Sequence, residues 1–243
     1  MTLLHTELIN GVKIVRLNYG KANAIDDSLL EALTAAIDGE DQRGIVLTGS
    51  AGFFSAGLNL PRLVHYDRSA MVTLMRKFHE FQVQILSSSC PVVAAVNGHC
   101  IAGGYIIALN CDYRIAACSD YLIGLNEMVL GISLPPIASA RIDQLGATIS
   151  TTALIGGELF TPVKAHSLRL VDRIVSSDEL LAASLEHIEH LQTVDKKAHN
   201  AGLIATLSHD FDQLYAPFLE TWFSESAQTH IRKLAAKLGN SRK

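Results

Sequence analysis

Apolar and polar positions change period along this chain. Residues 3–9 and 12–17 alternate as strands on either side of Asn10-Gly11, a pair that tolerates the positive backbone angles of a two-residue turn, so a β-hairpin is expected first. Ser28-x-x-Glu31 reads as a capping box ahead of Leu29, Leu33, Ala36 and Ile37, which share one helical face, and Gly39 offers a stop. A short apolar strand follows at 44–48. Met71, Leu74, Met75, Phe78, Gln82 and Ile85 then repeat at helical spacing, and Cys90-Pro91 leads into a second buried strand at 92–96. A glycine-containing turn at 98–104, a helix over 105–110 and strands near 114–117 and 122–124 come next. Strand and helix alternate, which places the chain in the α/β class. Beyond Pro136 the pattern is mainly helical, at 137–145, 150–155, 163–168, 180–191 and 227–238, with one strand at 171–175. That half must bury its apolar face on the first half or on a neighbouring subunit.

Composition narrows the functional classes. The 243 residues are 49% hydrophobic and carry a formal net charge of −4, enough for a sizeable core and without the basic footprint of a nucleic-acid binder. No apolar run reaches membrane-spanning length, and the first residues read as strand rather than as a signal segment, so a cytoplasmic protein is expected. Cys90, Cys100, Cys111 and Cys118 contain no C-x-x-C pair. They imply a reducing compartment and no structural metal.

Two segments share a plan of apolar strand, glycine-rich turn and helix start: 45–48 followed by Phe53-Phe54-Ser55-Ala56-Gly57-Leu58, and 92–96 followed by Asn97 to Gly104. Glycine allows close backbone approach, and N–H groups at a helix start can donate to a developing anion. Two such turns facing each other would form an oxyanion hole; either one alone also reads as a tight turn. The candidate acid is Glu127, within YLIGLNEMVLG at 121–131. Its flank of Leu122, Ile123, Leu125, Met128, Val129 and Leu130 would raise its proton affinity, as suits a group that takes and returns a proton. On this segment alone a helix cap or a solvated loop residue is the alternative. Other active-site plans lack their motifs. There is no G-x-S-x-G elbow, G-x-G-x-x-G fingerprint, phosphate-binding G-x-x-x-x-G-K-[ST] loop or H-E-x-x-H pair, and His5, His65, His79, His99, His166 and His187 read as isolated surface or supporting residues.

The runs FSAGLNL at 54–60, AVNGHCIAGGYIIALNCDYRIA at 95–116 and IGLNEMVLGISLP at 123–135 together resemble the crotonase, or enoyl-CoA hydratase/isomerase, superfamily. Lys21-Ala22-Asn23-Ala24-Ile25 is similar to its early CoA-contacting loop, and residues 218–238 to its trimerising helical end. The segments GGYIIALNCDYRI, IGLNE and LGI look most like Δ3,Δ2-enoyl-CoA isomerases. The resemblance implies a crotonase-like ββα spiral core over 1–190 with a helical region at 191–243 for oligomerisation, as a homotrimer or a dimer of trimers. It implies an acyl-CoA thioester as substrate and no metal or other cofactor.

By position in those motifs, the thioester oxygen would meet the N–H groups of Leu58 and Gly103, and Lys21, Ala22, Ala24, Ala56 and Ile106 would contact substrate or CoA. Hydratases of the family use two glutamates; here Glu127 fills one position and Ile106 the other. An isoleucine cannot activate water, so a 1,3 proton shift from 3-enoyl-CoA to 2-enoyl-CoA through Glu127 is the expected reaction. A hydratase or other enolate-forming enzyme, or a silent thioester-binding scaffold, stands as the alternative. Three departures from the family pattern are visible. Asn59 replaces the usual aspartate, Ala102 replaces the first of the usual glycines as a small change, and Ser133-Leu134-Pro135-Pro136 differs from the glycine-rich turn of hydratases.

Overall fold

A computed structural model describes residues 2–39, 42–50, 52–145, 156–193, 196–207 and 210–240. The hairpin forms as expected: β1 (Leu4–Ile9) and β2 (Val12–Leu17) pair antiparallel across Asn10 and Gly11, both at positive φ. After α1 (Asp27–Ile37) come β3 (Gly44–Thr48), β4 (Phe53–Ser55), the single-turn α2 (Leu60–Leu63) and the long α3 (Arg68–Ser87). The chain continues through β5 (Val92–Val96), β6 (His99–Ile101), α4 (Gly103–Asn110), β7 (Tyr113–Ala117) and β8 (Ile123–Gly124). A 3-10 turn at Glu127–Leu130 precedes α5 (Pro136–Leu145), α6 (Pro162–Ser167) and β9 (Arg173–Val175). The remaining helices are α7 (Leu180–Leu191), α8 (Lys196–Leu207), α9 (Phe211–Trp222) and α10 (Glu225–Asn240). The helix expected at 150–155 lies outside the described residues.

Two sheets result. The larger runs β1-β2-β3-β5-β7-β9 and is parallel from β2 onward; the smaller is parallel β4-β6-β8. Each turn of the spiral gives one strand to each sheet: β3 then β4, β5 then β6, β7 then β8. Every residue of β3 and β5 is buried, which explains their unbroken apolar runs: a parallel sheet covered on both faces has no polar side to alternate with. Helix α7 packs across β3, β5 and β7, and α1 against α3. Much of the apolar face of the helical half is buried within the same chain, where Tyr215, Phe218, Trp222, Ala227 and Ile231 join the core that holds β3 and β5, while Val163 and Leu238 stay exposed. Among the described residues, no helix is long and apolar enough to cross a membrane.

Several expectations need correction. Two of the three strands of the second sheet are missing from the sequence pattern: both glycine-rich segments, read as turns, contain a three-residue strand. The Ser28/Glu31 capping box does not form, because the cap is Asp26, whose carboxylate accepts the Leu29 N–H at 3.3 Å. Helix α1 stops at Ile37, with Asp38 already extended and Gly39 beyond it. Of the histidines read as surface or supporting residues, His79 is buried on α3 with its Nδ1 3.1 Å from the Tyr215 hydroxyl.

Candidate active site

The small sheet assembles the site. Its three strands are parallel, so their C-terminal ends lie along one edge, and each is followed within three residues by a group of chemical interest: Ser55 by Leu58, Ile101 by Gly103, Gly124 by Glu127. Crevices beyond the carboxyl ends of parallel strands are where α/β proteins place ligands. A cavity of about 850 Å³ opens at this edge. All eight residues singled out in the sequence line it: Lys21, Ala22, Ala24, Ala56, Leu58, Gly103, Ile106 and Glu127.

Backbone geometry leaves two N–H groups unpaired among the described residues lining that space. Ile25 forms a parallel bridge with Leu58, through Ile25 N–H to Gly57 O at 2.8 Å and Asn59 N–H to Ile25 O at 2.8 Å. A parallel bridge of this kind employs the groups flanking Leu58 and directs the Leu58 N–H away from Ile25. Gly103 is the first residue of α4, whose leading N–H groups have no carbonyl one turn earlier to bond. Neither N–H has a partner among the described residues. The two loops are in contact: a β-carbon on Gly103 would stand 3.6 Å from the Leu58 nitrogen, and one on Gly57 3.0 Å from the Gly103 nitrogen. A carbonyl oxygen between them would meet two preorganised donors and the positive end of α4.

The residue preceding Gly103 corrects the reading of Ala102 as a small change. Ala102 sits at φ +51°, ψ −127°, a glycine-type conformation that presses its β-carbon on its own backbone. Its N–H is held by Gly124 O at 2.9 Å and its carbonyl by the Ile106 N–H at 2.9 Å, so the strain is enforced from both sides. Ala102→Gly is expected to raise stability by about 1 kcal/mol with turnover unchanged within about twofold, as thermal melting and steady-state rates would show. A lower melting temperature would contradict the assignment of strain.

Glu127 opens the 3-10 turn and is 8% exposed. Its Oε2 has no hydrogen-bond partner among the described residues. Burial pushes its pKa from the ordinary 4.5 up to about 7, against smaller opposing effects of the Glu127 and Asn126 backbone groups. The flank read in the sequence supplies only part of this burial. Met128 and Val129 are 51% and 62% exposed, whereas Leu130 lines the cavity, and the rest of the apolar surround comes from other parts of the chain. Ile106 on α4, Leu130, Ile132, and Phe218 and Trp222 on α9 share the cavity wall with the carboxylate.

Other wall residues escaped sequence reasoning. Met75 and Phe78 belong to a stripe read as core, and they do pack in the core while also lining the cavity. Leu234 and Leu238 of α10 close it from the C-terminal region. Asn59 also lines it, and its Nδ2 donates to the Asp26 carboxylate at 3.0 Å. The aspartate usual at position 59 would face a second carboxylate there. The negative charge that Asn59 lacks is thus supplied next to it by Asp26.

Comparison with known proteins gives a consistent result. The chain is 27% identical to human mitochondrial enoyl-CoA delta isomerase 1, over 94% of this chain and 82% of that one. It is 30% identical to Escherichia coli 2,3-dehydroadipyl-CoA hydratase, over 68% of this chain and 64% of that one. The crystal structure of human mitochondrial Δ3-Δ2-enoyl-CoA isomerase superposes with a TM-score of 0.90 at 25% identity, with both chains fully covered. Residues 7–230 match the family model for enoyl-CoA hydratase/isomerase. With that match spanning nearly the whole chain and the spiral fold beneath it, this protein belongs to the enoyl-CoA hydratase/isomerase family.

Proposed function

We propose that this protein moves the double bond of a 3-enoyl-CoA to the 2-position, with Glu127 as its single acid-base group. One observation carries the reading: among the described residues that line the cavity, Glu127 is the only acid, and Ile106, which by the family resemblance takes the position of a hydratase's second glutamate, lines it too. The ionised carboxylate takes a proton from C2. The C2–H electron pair then delocalises onto the thioester oxygen, where the Leu58 and Gly103 N–H groups stabilise the dienolate by about 3 kcal/mol each. Protonated Glu127 returns the proton to C4, and the C3–C4 double bond becomes C2–C3. A carboxyl with a pKa near 7 is populated in both forms near neutral pH, so it can take the proton as a carboxylate and return it as an acid, while the oxyanion donors lower the cost of the uphill first transfer. The apolar wall limits loss of that proton to water.

In this reading Lys21 meets the CoA phosphates, with Ala22, Ala24 and Ala56 near the adenine or the pantetheine. The protein acts as a homotrimer or a dimer of trimers, which light scattering would distinguish from a monomer. Incubation with 3-hexenoyl-CoA and with crotonyl-CoA tests the chemistry. Conjugation of the first is expected to exceed hydration of the second by at least about 100-fold, the usual contribution of a missing acid-base group. Comparable hydration would overturn the assignment in favour of a hydratase. Binding of both thioesters without turnover would favour a scaffold.

A further inference from the structure

The loop that carries Lys21 and the loop that carries Leu58 meet at one carboxylate outside the chemistry proposed above. Asp26 is wholly buried. Its Oδ1 caps α1 through the Leu29 N–H, while Oδ2 accepts from the Tyr19 hydroxyl at 2.9 Å, Asn59 Nδ2 at 3.0 Å and an Arg62 guanidinium N–H at 3.2 Å. A buried carboxylate with this set of donors has little freedom to move, because any displacement strands a charge away from water.

Its place in the chain gives that rigidity a use. Asp26 follows Ile25 and Asn59 follows Leu58, so the side-chain bond between 26 and 59 lies one residue beyond the Ile25–Leu58 bridge and fixes its register. The same bridge aims the Leu58 N–H. Tyr19, held by the other side of Oδ2, lines the cavity mouth beside Lys21. We infer that Asp26 is a positioning residue for the oxyanion donor, acting through Asn59, and that the two form a matched carboxylate–amide pair in which each position requires the other's chemistry. This rests on the reading of the Leu58 N–H as an oxyanion donor.

A matched pair predicts reciprocal behaviour. Asp26→Asn leaves two amides and no acceptor charge for Tyr19 and Arg62. Asn59→Asp sets two carboxylates against each other. The double exchange restores one carboxylate and one amide, and asparagine caps α1 as well as aspartate does. Three readouts apply: kcat and KM for 3-hexenoyl-CoA, melting temperature, and the infrared carbonyl stretch of bound hexanoyl-CoA labelled with carbon-13 at C1. That saturated thioester reports the oxyanion donors without any double-bond shift.

Each single exchange is expected to lower kcat about tenfold or more, with KM within about threefold, and to reduce the carbonyl shift to lower frequency seen on binding. The double exchange is expected to recover most of both losses, as coupled neighbours do and independent sites do not. If Asp26→Asn fails to fold, Asn59→Asp and the double variant still decide, because recovery in the double requires the pairing. A double variant that loses as much as the two singles combined would overturn the inference. So would single variants that melt earlier but keep the wild-type kcat and carbonyl frequency, since Asp26 would then be only structural. A wild-type carbonyl no different from that of the free thioester would instead refute the oxyanion reading, and the inference with it.

Discussion

Glu127→Gln is expected to lower kcat on a 3-enoyl-CoA by about 10⁴-fold while thioester affinity stays within a few-fold. The amide keeps the volume and can still accept a hydrogen bond, but it cannot carry a proton from C2 to C4. Among the described residues of the cavity wall no other acid is present to substitute. Residual turnover near the wild-type level would remove Glu127 from the reaction. In the wild type, kcat/KM should climb with pH through about 7, because only the ionised carboxylate abstracts a proton.

The same variant should have an opposite effect on stability. In the unfolded chain a glutamate ionises near 4.5, whereas in the folded protein burial delays ionisation to about 7. The folded state therefore binds the extra proton between those values, and its advantage is fully present below 4.5 and lost as pH rises through about 7. A displacement of that size is worth on the order of 3 kcal/mol. Glu127→Gln should consequently melt later than the wild type at pH 8, and the difference should shrink toward pH 5. A pH-independent difference in melting temperature would mean that the carboxylate is not desolvated as described.

Gly104→Ala is the second change with a large expected effect. A β-carbon there would stand 2.4 Å from the Ser55 carbonyl oxygen and 2.7 Å from the Ser55 β-carbon, so α4 cannot stay against β4. Those atoms belong to backbone and to a fully buried side chain, and neither can rotate aside. The start of α4 must retreat, carrying the Gly103 N–H away from the Leu58 N–H. A loss of about 3 kcal/mol in stability and at least about 100-fold in kcat is expected, with the rate loss persisting at temperatures where the variant remains folded. A folded Gly104→Ala protein with normal turnover would show that the separation of these two N–H groups is not critical.

Local signals carried much of this molecule into view. The Asn10-Gly11 hairpin, the buried strands β3 and β5 and helix α3 follow from turn chemistry and apolar spacing that act within a few residues. Two strands of the second sheet, β4 and β6, were not legible, because a strand of three residues has too few positions to display a period. Helix α9 was obscured by Pro217 in its interior, although Tyr215, Phe218 and Trp222 supply a buried face through that break. At the site, the glycine loops and the isolated acid stood out by residue type. The part of the acid's desolvation that comes from Ile106, Phe218 and Trp222, and the bond between Asp26 and Asn59, did not, since both depend on residues far apart in sequence that only the folded chain brings together.

The cavity wall begins at Tyr19 and ends at Leu238. It draws on both loops of the small sheet, the long helix α3 and the last two helices. No contiguous fragment holds the pocket, so thioester occupancy and global folding form a single equilibrium. Saturating acyl-CoA at 100 times its dissociation constant would add about 2.7 kcal/mol to the unfolding free energy of the whole chain, and slow-exchanging amides throughout the large sheet would record the ligand as faithfully as those beside it.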